Sequence, residues 1–294
     1  MILLDYSQIA IANIFHFQDD LKKGMTDKES AQNIIRHAIL SGILYYKNKF
    51  SNDYGNMIIA CDSKNYWRKD YFPNYKAGRK KTRDKSDLDW KLIFEIISQI
   101  REEIKENFPY KVIHVDKVEA DDIIAVLSKY TQMDNSDHPL FVQTEPVLII
   151  SSDGDFKQLH KYDNIRQWSP IQNKYVTCKD PLEYLNEHIM KGDAGDGIPS
   201  ILSKDDAFID EDYRQPPLTK KRKEAILSGE LTEEMKRNWD RNKQLIDFDM
   251  IPNDVINKIV DQYINYSVVN DKMKIYDYFV KNGCRLLLDR IEEF

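Results

Sequence analysis

The sequence predicts an α/β fold, a mostly parallel central sheet flanked by helices, followed by a smaller all-helical C-terminal domain. Three observations carry this expectation. Through the first 180 or so residues short apolar segments alternate with helical ones, the pattern of a parallel sheet covered on both faces. Beyond Pro181 the strand signal disappears. At 294 residues the chain is about two domains long by the usual prior and can bury a substantial core.

The expected strands are Ile2–Leu4, Met57–Cys61, Val112–Val115, Val147–Ser151 and Ile165–Trp168. Between them Glu29–Lys47 and Trp90–Glu106 repeat apolar residues at helical spacing, and Glu119–Asp122 opens a helix over Ile123–Tyr130. Residues 132–146 (QMDNSDHPLFVQTEP) are turn-rich, which predicts an exposed surface loop, and Gly192–Pro199 is a second, glycine-rich break. Helical periodicity then runs through Lys220–Leu227, Glu233–Leu245 and Lys274–Ile291. The expected division is an α/β domain over residues 1–180 and a helical domain over residues 181–294.

Composition narrows the function classes. With 43 Lys+Arg against 49 Asp+Glu the chain is mildly acidic, so any nucleic-acid contact must rest on a local basic surface. Cys61, Cys178 and Cys284 are too far apart for a C-x-x-C zinc or redox motif, and three cysteines make no disulfide framework, so a reducing cytoplasm is the expected setting. The opening Ile2-Leu3-Leu4-Asp5 lacks a basic n-region, and no apolar run approaches the ~18 residues of a membrane span.

The acids sit where strands end. Asp5 follows Ile2–Leu4, Asp62 follows Met57–Cys61, and Asp153 and Asp155 follow Val147–Ser151. In open parallel sheets ligands bind at that edge, so three strands aim four carboxylates at one crevice. Like charges so crowded disfavour ionisation, and hard divalent cations between them resolve the conflict. Oxygen-only ligands point to Mg²⁺ or Mn²⁺ rather than zinc. Glu119-Ala120-Asp121-Asp122 adds a second group, with Asp121 the expected inward ligand. Glu119 and Asp122 share the other face, where a first helical turn favours acids in any case. In Lys191–Gly197 two further acids, Asp193 and Asp196, stand on a glycine-rich turn. Two ions ~4 Å apart could activate water and steady the leaving oxygen of a phosphodiester.

Between Lys64 and Lys85 lie nine basic residues and two acidic ones, Asp70 and Asp84, interleaved with Tyr66, Trp67, Tyr71, Phe72 and Tyr75. Positive charge beside aromatic faces suits single-stranded ends. The run from Gly78 has too little apolar content to hold a fixed fold alone, so the segment is expected to be ordered by a 5′ strand. A second basic cluster, Lys220-Lys221-Arg222-Lys223, opposes the dipole of the helix it begins, and phosphate binding and a solvated face both remain open there.

These motifs resemble the 5′-nucleases, the flap endonucleases and the 5′-exonuclease domains of bacterial DNA polymerases. The pattern Trp67-Arg68, Pro73, Tyr75-Lys76, Arg79 looks like the family's arch, E-A-D-D at Glu119–Asp122 and S-S-D-G-D-F at Ser151–Phe156 like its metal motifs, and K-G-D-x-x-D at Lys191–Asp196 like the last of these. The ending, K-I-Y-D-Y-F-V-K-N-G to I-E-E-F, looks like the phage ribonuclease H branch. The resemblance implies a PIN-like nuclease domain with Asp5, Asp62, Glu119, Asp121 and Asp153, with Asp122 beside them, around one Mg²⁺ and Asp155, Asp193 and Asp196 around another. It implies an arch over residues 64–90 whose Arg68, Tyr75, Lys76, Arg79, Lys80, Lys81 and Arg83 grip the 5′ strand. Lys76 and Arg79 would act on the scissile phosphate, and Lys220, Lys221, Arg222 and Lys223 would hold duplex.

The implied activity is 5′-to-3′ exonuclease and flap cleavage of RNA·DNA and DNA duplexes by a monomer, as in lagging-strand primer removal. A single-stranded-DNA-binding protein and a sliding clamp are the partners the resemblance implies. One departure is visible. After Gly197-Ile198-Pro199 the second glycine pair of the family's helix-hairpin-helix is replaced by Ser200–Lys204.

Two rivals stand beside the nuclease. A haloacid-dehalogenase-type phosphatase needs D-x-D at the first strand, and Ser7 stands where the second acid belongs. A nucleic-acid-binding scaffold with an inactive pocket is the non-enzymatic alternative. No P-loop, G-x-S-x-G or H-E-x-x-H is present, and the six histidines show no metal-ligand spacing and read as structural.

Overall fold

The computed structural model describes residues 1–16, 28–84, 86, 88–132, 144–210 and 212–294, without the side chains of residues 80–82. Most of the loop expected over 132–146, Lys85, and the side chains of Lys80 and Lys81 lie outside the described residues.

Strands β1 (Ile2–Asp5), β2 (Met57–Ala60), β3 (Lys111–Ile113), β4 (Val147–Ile150) and β5 (Ile165–Ser169) are parallel, in the order β3-β2-β1-β4-β5. These are the five the sequence predicts. A sixth, β6 (Lys174–Val176), pairs antiparallel with β5 at the edge. It is three residues long and mostly exposed, and its turn passes Asn173 at φ 48°. So short and polar a strand has no periodicity to betray it.

The helices are, in chain order, α1 (Tyr6–His16), α2 (Lys28–Tyr54), α3 (Trp67–Tyr71), α4 (Gly78–Arg83), α5 (Trp90–Asn107), α6 (Ala120–Tyr130), α7 (Pro181–Lys191), α8 (Lys220–Leu227), α9 (Glu233–Ile246), α10 (Asn253–Ile264), α11 (Lys272–Lys281) and α12 (Arg285–Leu288). The helical stretch expected over Lys274–Ile291 is helical with one interruption. It breaks at Gly283, whose φ of 63° lets the Cys284 N–H reach back to the Phe279 carbonyl at 2.9 Å.

Strand alternation divides the core. Ile2, Leu4, Ile59, Leu148 and Ile150 face α2 and α5, meeting Ile35, Ile39, Ile96 and Ile100, while Leu3, Ile58, Val147 and Ile149 face α6, meeting Ile123 and Leu127. Helix α5 starts where Asp89 caps it, accepting from the Leu92 N–H at 3.0 Å, and it buries the 93, 96, 97, 100, 104 stripe. Residues of the last third complete both faces. Ile275, Tyr278 and Phe279 join the first core, and Phe248, Val255 and Ile259 the second. A half-buried ion pair ties α11 down: Arg36 donates to Glu103 at 3.1 Å and to the Tyr278 hydroxyl at 3.0 Å. Among the described residues no helix is long and apolar enough to cross a membrane.

Candidate metal centre and nucleic-acid interface

The strand ends are level. Asp5 on β1 lies opposite Ala60 on β2, and Leu4 opposite Ile150 on β4, so Asp5, Asp62 and Asp153 leave the sheet at one edge. Asp5 is oriented by the Gln8 N–H, donating at 3.0 Å, and by the Ser151 hydroxyl, donating at 3.1 Å. The Ala120 N–H donates to Asp62 at 2.9 Å, joining the end of β2 to the start of α6. Asp121 therefore enters the same crevice. Burial, reinforced by Asp62 and Asp153, pushes the Asp5 carboxyl up to about 7, and burial with Asp153 and Asp5 drives Asp121 well above the carboxylate range. Four acids from three strands and one helix thus share a field that a hard divalent cation relieves.

A second group lies beside the first. Asp155 begins a 3₁₀ turn after β4, its N–H donating to Asp153 at 2.9 Å. Burial and Asp153 push its carboxyl up to about 7. Helix α7 brings His188 between Asp155 and Asp193, with Nδ1 at 3.3 Å from the first and Nε2 at 3.3 Å from the second. His188 holds Asp193 down at about 2, and although burial opposes it, Asp193 and Asp155 raise the imidazole above its ordinary value. Asp155, His188 and Asp193 offer ligand atoms that all lie within 4.8 Å of one another. His188, expected to be structural, thus lies among the pocket acids, and no local spacing signals this because its partners come from other elements.

The remaining acids are engaged differently. Both Asp122 oxygens are bound: Arg68 donates at 2.7 and 3.0 Å, Trp67 Nε1 at 3.0 Å and the Glu119 N–H at 3.2 Å. With Asp122 at 0 % exposure and Arg68 at 3 %, two expectations are corrected. Asp122 is a fold-holding partner rather than a metal ligand, and Arg68, which also reaches the Leu245 carbonyl at 2.8 Å, is no nucleic-acid contact. Tyr75 is a third correction. It is buried, with its hydroxyl donating to Glu119 at 3.1 Å and Asp196 at 2.8 Å.

Glu119 is 1 % exposed and is shared by Arg68, Tyr75 and Lys76. Lys76 Nζ bonds Glu119 and lies 3.5 Å from Asp196, and Arg79 donates to Asp196 at 2.5 Å. Burial opposes the charge on Lys76, but Asp196 and Glu119 hold it protonated. Backbone joins the two segments as well. The Lys76 N–H donates to the Asp196 carbonyl at 2.7 Å, and a Cβ on Gly197 would come within 3.0 Å of the Asn74 carbonyl.

Over residues 66–75 the basic segment packs into the fold. Phe72 and Tyr75 pack with Leu185, Ile189, Ile198, Leu245 and Ile246. Tertiary contacts supply the apolar surface that the local sequence lacks. Beyond them Arg79 and Arg83 are exposed. Lys220, Lys221 and Arg222 are exposed at the start of α8, and Lys223 pairs with Glu187 at 2.7 Å.

The place of the missing glycine pair is occupied by a buried polar lattice. Asn238 donates to the Ile201 and Ser203 carbonyls at 3.0 and 3.1 Å, Asn242 to Ile189 and Pro199 at 2.8 Å each, and Arg241 to Pro199 at 3.0 Å. Side chains of α9 thus satisfy a turn that regular structure does not.

Known proteins resemble this chain in sequence and in fold. Residues 1–189 match the family described as 5′-3′ exonuclease, N-terminal resolvase-like domain, and residues 183–294 match the one described as T4 RNase H, C terminal. Ribonuclease H of Enterobacteria phage T4 is 36% identical over 306 residues, covering 99% of this chain and 95% of that protein. The flap endonuclease Xni of Shewanella sp. (strain MR-4) is 30% identical over 143 residues, 46% of this chain and 48% of that protein. The bacteriophage T5 flap endonuclease, solved as a pseudo-enzyme–product complex with DNA and metal ions, shares the fold with a TM-score of 0.60 at 18% identity, covering 90% of this chain and 97% of that one. The T5 5′-exonuclease with divalent zinc bound gives 0.56 at 19%, covering 90% and 98%.

Proposed function

Because this chain belongs to the 5′-3′ exonuclease family of nucleases, with the T4-RNase-H type of C-terminal region, we propose that it removes RNA primers and 5′ flaps from lagging-strand duplexes by Mg²⁺-dependent hydrolysis. The observation that carries this reading is the convergence of Asp5, Asp62, Asp121, Asp153 and Asp155 at one sheet edge, under Lys76 and Arg79. The donor set fits the cofactor: the carboxylates outnumber the cations the chain provides, and burial makes their charge costly without a hard ion.

In this reading Asp5, Asp62, Asp121 and Asp153 hold one Mg²⁺ and Asp155 with Asp193 a second, Mn²⁺ substituting. Two such ions supply charge neutralisation at the phosphoryl oxygens and an acidified water when bound. Everything else falls to side chains. Glu119 and Asp196 keep Lys76 and Arg79 protonated and poised over the crevice, and exchange them to an incoming phosphate. That transfer places two fixed positive charges where the transition state gains negative charge. Exposed Arg83, with Lys80 and Lys81 in the same helix, leads the 5′ strand in, and Lys220, Lys221, Arg222 and Lys223 steady the duplex.

Residues 1–180 then carry most of the catalytic centre, and 181–294 add His188 and Asp193 to it, cover the sheet and supply the duplex-binding cluster, in a monomer of the host-cell cytoplasm. A single-stranded-DNA-binding protein and a sliding clamp are the proposed replication partners. The test is a 5′-labelled, RNA-primed flap duplex incubated with Mg²⁺ or EDTA, products sized on a gel. Short 5′ products with Mg²⁺ alone are expected. Binding without cleavage would leave only the scaffold reading.

A further inference from the structure

The second carboxylate group differs chemically from the first, because it contains a nitrogen ligand. Resting on the metal-centre reading above, we infer that His188 is a direct ligand of the second ion, through Nδ1 beside Asp155, and that it shifts this position toward Mn²⁺, Co²⁺ or Zn²⁺ over Mg²⁺. In this refinement Asp193 orients the ring through Nε2, as a positioning residue, in place of holding the ion itself.

The argument is geometric. The two ring nitrogens face carboxylates from different elements, Asp155 after β4 and Asp193 after α7, each at 3.3 Å. Metal-binding imidazoles characteristically donate their second N–H to a carboxylate, which fixes the tautomer and leaves the other lone pair for the ion. Here Nε2–H toward Asp193 frees Nδ1 toward Asp155. Asp193 is itself fixed, accepting from the Asp196 N–H at 3.1 Å and bridging to Ile198 through paired backbone bonds of 2.8 and 2.7 Å. The ring is also packed. Tyr184, one helical turn earlier, meets it edge-on at 5.7 Å between centroids and 87° between planes. An imidazole held on both edges and one face is preorganised in the way a ligand needs to be. Nitrogen donors favour later first-row ions, whereas Mg²⁺ is served best by oxygens and retained water.

The test reads the ion directly. Electron spin-echo envelope modulation of the Mn²⁺-loaded full-length protein should show ¹⁴N coupling from a bound imidazole, absent in His188→Gln. In calorimetric titrations His188→Gln should weaken one Mn²⁺ site at least about tenfold, and Mg²⁺ binding less than about threefold. Asp193→Asn should weaken Mn²⁺ by a smaller factor while keeping the nitrogen signal. Bound Mn²⁺ without nitrogen coupling in the wild type would overturn the inference and leave the metal centre standing. No Mn²⁺ binding at all would overturn both. Equal losses of Mn²⁺ and Mg²⁺ in His188→Gln would overturn the claimed ion preference. The wild-type spectrum decides the ligand even if the variant fails to fold.

Discussion

The two carboxylate groups sit side by side at one sheet edge, yet the chain treats them differently. The first, Asp5, Asp62, Asp121 and Asp153, is assembled from strand ends and a helix start, and the carboxyls of Asp5 and Asp121 are raised by burial first and by their neighbours' charge second. The second, Asp155 and Asp193, has His188 between its members, and Asp193 is correspondingly held down at about 2. One group is made of carboxylates alone, and the other has an imidazole held between its acids. A third acidic pair, Glu119 and Asp122, is answered by Arg68 and Lys76. Proximity to the crevice does not by itself make an acid a ligand. What else reaches it decides.

Substitutions can break this comparison, and the largest effect expected is structural. Asp122→Ala strands Arg68, which is buried at 3 % exposure, and should cost about 3–5 kcal/mol of stability with the affinity for divalent ions unchanged in folded protein. Loss of ion affinity without loss of stability, by denaturant melt and calorimetry, would return Asp122 to the ligand set. Asp153→Asn should do the reverse, lowering cleavage by roughly 10²–10³ with DNA binding within a few-fold. A variant keeping more than about a tenth of the wild-type rate would refute the metal role. Lys76→Ala should slow cleavage by about 10- to 100-fold with plain-duplex binding nearly intact, since it removes a positioned charge rather than general attraction. If the duplex Kd rose in proportion to the fall in rate, Lys76 would be a binding residue only.

The smallest effect sharpens the comparison through pH. Asp5 and Asp155 titrate at about 7 in the folded state against a usual 3.8. The folded state therefore holds more protons than the unfolded one between about pH 4 and 7, and stability without metal falls as pH rises through that window. Mg²⁺ takes over from those protons. Saturating Mg²⁺ should raise Tm by roughly 5–10 °C at pH 8 and by much less at pH 5. Equal shifts at both values would mean that the ion binds elsewhere.

The parallel sheet and its acids were legible because both follow from local pattern. Ile2–Leu4 and Val147–Ser151 are apolar runs with no polar face, and an Asp one or two residues past such a run can only stand at the sheet edge. Partner choice was not legible. Spacing correctly put Glu119 and Asp122 on one face of α6, but the guanidinium that meets them comes from 51 and 54 residues earlier. His188 is the converse case, a residue with no local signal, carried to Asp155 by the packing of α7. The segment from Lys64 shows the same limit: its charges are local, while the hydrophobic surface that Phe72 and Tyr75 meet belongs to α7, α9 and the turn through Ile198.

The placement of α10 and α11 has a consequence in the order of synthesis. A chain emerging from the ribosome delivers Asp5 first and the last of the pocket acids, Asp196, some sixty residues before α10. At that moment one face of the sheet still lacks Val255 and Ile259, and the other lacks Ile275, Tyr278 and Phe279, with Arg36 and Glu103 waiting for the Tyr278 hydroxyl. Every acid of the centre has been made, but the two greasy layers that hold the strand ends level are unfinished. A nascent chain halted near residue 250 should therefore be protease-sensitive, and the nuclease centre should close only once its far end has been threaded back against its beginning.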